Sequence, residues 1–80
     1  MESNNMNIKE LRELWQEVFP HLRVPRRGQF YVWLQLHDGN SDRIANAIKY
    51  VAQADQRRDV PLSYGQALRF ISAEANRAKR

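Results

Sequence analysis

The chain has 80 residues, 42% of them hydrophobic and 28% charged, the proportions of one ordinary globular domain rather than of a disordered segment. It contains no cysteine, which excludes disulfide frameworks, thiolate metal sites and cysteine nucleophiles. Thirteen Lys and Arg against nine Asp and Glu leave a net charge of +4, which serves solubility first and is compatible with a polyanionic partner.

Residues 1–6 carry no periodic apolar signal and read as a tail. The polar start with Glu2 predicts neither a signal peptide nor a transit peptide. From Ile8 the apolar residues Leu11, Leu14, Trp15 and Val18 recur on one helical face, so the first helix is expected over residues 8–18. Asn7 and Glu10 have the spacing of a capping box at its start. Pro20 ends it, because proline disfavours helical geometry in the residue before it.

The connector that follows carries Pro20 and Pro25, with Leu22 and Val24 turned to the core and Arg23, Arg26 and Arg27 outward. Residues 29–37 are ambiguous, since Phe30, Val32, Leu34 and Leu36 alternate as in a strand while Phe30, Trp33, Leu34 and His37 keep helical spacing. A lone strand would leave its backbone groups unpaired, and no other segment offers a partner, so a helix is expected over 27–37. Being apolar nearly all round, it should either be the central helix or turn one face to a partner.

Gly39 suits the left-handed position past that helix. Asn40 or Ser41 caps a third helix over 41–57 that buries Ile44, Ala47, Ile48, Val51 and Ala52. After the Pro61 break, Ser63 and Gln66 form a second capping box for a fourth helix over 63–78, which buries Ala67, Leu68, Ile71, Ala75 and Ala78. The expected core is Leu11, Leu14, Trp15, Val18, Phe19, Phe30, Trp33, Leu34, Ile44, Ile48, Val51, Leu68 and Ile71. An all-α, single four-helix domain follows, with no stretch long and apolar enough for a membrane span.

Catalytic chemistry finds no motif. His21 and His37 are the only histidines, no carboxylate set completes a metal site, and the three glycines are scattered singly. His37 beside Asp38 reads as the last turn of a helix, since adjacent side chains diverge by about 100°. A non-enzymatic protein without metal or cofactor is expected.

The charge is unevenly spread. Glu2, Glu10, Glu13 and Glu17 make the first twenty residues acidic against Lys9 and Arg12, and ten of the thirteen bases in the chain are arginine, the residue whose planar fork best suits phosphate. Two helices joined by a short turn with glycine have the layout of a helix-turn-helix. The third helix would then read nucleic acid with Arg43, Asn46, Lys49, Gln53 and Arg57, residue types that pair with base edges and phosphates. Arg26, Arg27 and Arg58 are the expected phosphate contacts, and Arg77, Lys79 and Arg80 also complement the negative end of the last helix. Tyr31, Tyr50 and Tyr64 are candidate stacking partners for single-stranded bases, against the commoner role of rim packing.

The segment Trp33-Leu-Gln-Leu-His37 followed by Ile44-Ala-Asn-Ala47-Ile48 resembles the core of the DnaD-type helical domain. In that family a Pro-rich lead-in precedes a tryptophan helix and an Ile-x-x-Ala-Ile helix, an order that residues 25–52 share. The family's later Tyr-x-x-x-Ile-x-x-x-Trp signature is met at Tyr64 only, with Leu68 and Ser72 at the following spacings. The resemblance implies a helical domain of bacterial or phage replication initiation that binds DNA and primosome partners.

The first expectation is therefore a small helical module that binds nucleic acid, DNA in particular, through arginines. The alternative is a protein-interaction or homodimerisation domain that uses the apolar helix around residues 30–36. A cytoplasmic domain with no activity of its own is the third.

Overall fold

The computed structural model describes residues 6–78. Four helices follow one another: α1 over Ile8–Val18, α2 over Arg27–Leu36, α3 over Ser41–Gln56 and α4 over Tyr64–Ala78. The all-α architecture is the expected one, and each helix boundary falls within a residue of its predicted position. Residues 1–5, Lys79 and Arg80 lie outside the described residues, and Met6, expected in the tail, packs half-buried against the core.

Both predicted capping boxes form. The Glu10 N–H donates to Asn7 Oδ1 at 2.8 Å and the Asn7 N–H donates to Glu10 Oε1 at 2.9 Å. At α4 the Gln66 N–H donates to Ser63 Oγ at 3.2 Å and the Ser63 N–H to Gln66 Oε1 at 3.0 Å. Each box satisfies two backbone groups that a helix start leaves without an intrahelical partner. Asn40, rather than Ser41, caps α3, taking the Arg43 N–H on its side chain at 3.2 Å.

The turn between α2 and α3 is tighter than the sequence suggests. The Gly39 N–H donates to Leu34 O at 2.7 Å, the long bond of a Schellman motif, which puts Asp38 rather than Gly39 at the first left-handed position. Asp38 has φ 58° and Gly39 φ 76°, so a non-glycine residue bears the first left-handed conformation.

The central helix is α3, not α2. Helices α1, α2 and α4 all pack against α3, whose wide inner face holds Ile44, Ala45, Ala47, Ile48, Val51, Ala52 and Asp55. Its alanines let the neighbouring helices come close. α2 buries only Phe30 and Trp33, because ten residues reach the core along a single face. Tyr31, Val32 and Leu36 stay 61%, 51% and 55% exposed.

The core is otherwise the one expected, with Val18, Leu34 and Leu68 at its half-buried rim and with Pro25, Leu62 and Ala45 added to its interior. Trp15 sits at its centre, its ring 4.7 Å from Phe19 and 6.2 Å from Tyr64. Trp33 meets Phe30 edge-on at 5.6 Å, and its Nε1–H donates to Ser72 Oγ at 2.7 Å, tying α2 to α4.

Candidate functional site

Successive residues of a helix turn by about 100°, so Lys49, Gln53, Asn46, Arg57 and Arg43 fall within one arc of roughly 120° opposite the buried face of α3. The structure places them accordingly: Asn46, Lys49, Gln53 and Arg57 are exposed and Arg43 is half-buried. The row runs about 21 Å along the axis, with Arg57 at the C-cap. The exposed Tyr50 stands in the same row. The half-buried Asp42 stands at its start, in the first turn of α3. Its carboxylate repels phosphate there, so the end of the row from Lys49 to Arg57 is the more favourable for an anion.

The remaining arginines divide between two places. Arg26 is the N-cap of α2 and lines a shallow depression with Arg23, Gln29 and Tyr64. The Arg23 guanidinium lies 4.4 Å from the Tyr64 ring centroid, so Arg23 and Arg26 gather at the start of α4. Arg57 and Arg58 follow two and three residues after Asp55, and Asp55 Oδ2 lies 3.5 Å from His21 Nε2 in the α1–α2 connector. Its other oxygen accepts the Leu62 N–H. The connector, the end of α3 and the start of α4 therefore share one pole, and Arg23, Arg26, Arg57 and Arg58 belong to it. Arg27 follows Arg26 in the chain and is exposed in the first turn of α2.

Arg77 belongs elsewhere. Its guanidinium donates to Glu74 Oε1 at 2.8 Å and lies 5.9 Å from the Tyr50 ring centroid. The Glu74 carboxylate, and after it the Tyr50 hydroxyl, raises the pKa of Arg77 above its ordinary value. Tyr50 and Glu74 are also where two depressions along the α3–α4 seam meet. One, of about 490 Å³, is lined mostly by polar residues, among them Asn40, Asp42, Arg43 and Asn46. The other, of about 350 Å³, is mostly apolar and includes Ala54, Phe70 and Ala73.

Tyr50, expected as a stacking partner, lies seven residues from both Arg43 and Arg57, so its place in the row is readable from spacing. Phe70 and Arg23 were not among the expected contacts. Phe70 falls outside the Ala67, Ile71, Ala75 core stripe, which marks an apolar side chain turned to solvent. Arg23 had no such signal, since its position depends on the fold of the connector around Tyr64. Among the described residues no group of three or more His, Asp or Glu side chains is placed to hold a metal ion, and no helix is long and apolar enough to cross a membrane. No protein-family model, curated protein or solved structure matches the chain.

Proposed function

We propose that the chain is a non-enzymatic helical module that binds nucleic acid along the outer face of α3. The observation that carries this reading is the single solvent-facing row of Asn46, Lys49, Gln53 and Arg57, with Arg43 at its edge. Asn and Gln offer paired donors and acceptors to base edges, and Lys and Arg neutralise phosphates. The basic pole of Arg23, Arg26, Arg57 and Arg58, with Arg27 following Arg26 in the chain, extends the row at its C-terminal end, away from Asp42, and supplies the sequence-independent part of the affinity. The likeness of residues 25–52 to the DnaD-type domain points the same way.

The test is fluorescence anisotropy with labelled single- and double-stranded DNA and RNA at about 50 mM salt. Binding that disappears when Arg43, Lys49 and Arg57 are changed together to alanine, in a variant that still folds, supports the reading. Binding that survives this variant moves the site to the other arginines. Absence of binding to every probe rejects the reading.

A second reading has its own observation. The outer face of α2 carries no charge from Gly28 to His37 and exposes Tyr31, Val32 and Leu36. An uncharged apolar face of this kind suits a protein partner or a second copy of the chain. Sedimentation equilibrium, with and without Val32→Lys and Leu36→Lys, separates self-association from a monomer.

A further inference from the structure

We propose that the depression beside the start of α4 holds the terminal phosphate of a nucleic-acid strand. The proposal rests on the nucleic-acid reading above and adds to it the one group of the strand that this depression selects.

The depression has a volume of about 330 Å³ and is lined by Arg23, Val24, Arg26, Gln29 and Tyr64. Its two arginines flank an anchored piece of connector. Pro25 is fully buried and Val24 packs against the core, while Arg23 and Arg26 on either side stay exposed. The Arg23 guanidinium lies over the Tyr64 ring, 4.4 Å from its centroid, and that ring stands edge-on to the buried Trp15. Stacking on a fixed ring leaves the in-plane N–H groups of the fork free to donate. Less entropy is then lost when the fork pairs with an anion.

The charge here is uncompensated. No carboxylate lines the depression, and among the described residues neither Arg23 nor Arg26 has an acidic partner. The other polar side chains of the lining, Gln29 and Tyr64, are neutral and can donate. Two cations with neutral donors and no acid are matched by a compact dianion rich in acceptor oxygens. A phosphate monoester carries about −1.5 to −2 at pH 7 on three terminal oxygens, and arginine forks pair with such oxygens in bidentate fashion. An internal phosphodiester or a carboxylate brings a single charge, so in a nucleic acid the strand end is the group that satisfies both arginines. Continuity favours a strand over a free anion, since Arg57 ends the α3 row and belongs to the same pole as Arg23 and Arg26.

The probes are labelled hexathymidylates that end in a 5′-phosphate, a 3′-phosphate or hydroxyls only, titrated at about 50 mM salt. One phosphorylated strand should bind about tenfold tighter than the hydroxyl-ended one, the effect of two partly exposed ion pairs. Arg23→Gln with Arg26→Gln should bring that ratio near unity. Arg57→Gln with Arg58→Gln removes the same charge from the pole and should weaken all three strands while keeping the ratio, so neither lost charge nor lost folding imitates the result. A ratio near unity in wild type, a ratio unchanged in Arg23→Gln with Arg26→Gln, or a ratio lost equally in both double variants overturns the proposal. Thymidine 5′-monophosphate that binds as tightly as the phosphorylated strand overturns it in favour of a free nucleotide. A phosphoserine peptide that binds more tightly than the strand overturns it in favour of a phosphoprotein.

The two readings fail separately. A hydroxyl-ended strand bound with no gain from either phosphate sinks this proposal and leaves the α3 row standing. Binding of a phosphorylated strand alone, lost in Arg23→Gln with Arg26→Gln, upholds the depression and counts against the row. Binding of none of the three sinks this proposal, whereas the row falls only if the duplex and RNA probes fail as well.

Discussion

The buried carboxylate of Asp55, near the end of α3, accepts the backbone N–H of Leu62 at 2.8 Å. The same carboxylate lies 3.5 Å from His21 of the connector. One side chain thus fixes the α3–α4 loop, seats Leu62 in the core and joins both to the α1–α2 connector. The basic pole is assembled by these contacts, since Arg57 and Arg58 leave α3 one turn or less after Asp55.

Removing that acceptor leaves the Leu62 N–H without its partner in a site the solvent barely reaches. Asp55→Ala should destabilise the protein by about 1–3 kcal/mol. Asp55→Asn keeps an acceptor oxygen and should cost distinctly less. Urea unfolding followed by tryptophan fluorescence measures both, and equal losses would show that the acceptor is not what matters.

Trp33 and Ser72 make the corresponding tie between α2 and α4. Ser72→Ala should cost about 1–2 kcal/mol by orphaning an indole N–H that is almost fully buried. Ser72→Thr keeps the hydroxyl and should recover most of the loss. A Ser72→Ala protein with an unchanged denaturation midpoint would show that Trp33 has another partner.

Asp38 offers a gain instead. Its left-handed conformation, φ 58°, is strained for a residue with a Cβ, and glycine adopts it freely. Asp38→Gly should raise stability by about 0.5–1 kcal/mol, read as a higher melting temperature. A lowered melting temperature would mean that the Asp38 carboxylate makes a contact worth more than the strain.

Much of this fold is legible in the residues because local signals and burial agree. Asn7 with Glu10 and Ser63 with Gln66 announce two helix starts, and Pro20 and Pro61 mark two breaks. Leu11, Leu14 and Trp15 show their buried face by spacing alone. The centre of the bundle is not legible in this way. α2 is the most apolar helix, yet its rank is set by how many neighbours reach it, a tertiary property. α3 becomes central because Ala45, Ala47 and Ala52 admit three other helices. The burial of Asp55 is hidden for a related reason, since a carboxylate enters an interior only where the fold supplies its partners.

The candidate site divides along the same line. The row on α3 is a matter of helical period, so Asn46, Lys49, Gln53 and Arg57 come out together. Whether Arg26 and Arg58 share a pole with Arg23 depends on how the connector meets the start of α4, which no periodicity encodes. The separation of Arg77 from that pole follows from the antiparallel packing of α3 and α4.

The most direct test of nucleic-acid binding along α3 is the salt dependence of affinity for a single labelled DNA probe, measured in wild type and in Lys49→Ala with Arg57→Ala. Each phosphate neutralised by a cation adds about 0.7–0.9 to the slope of log K against log salt. The wild type should show a slope of roughly −3 to −4, for four or so contacts, and the double variant should lose about 1.5 to 2 units of it while keeping its fold. An unchanged slope in the double variant, or an affinity indifferent to salt, would contradict the assignment of the phosphate contacts to this face.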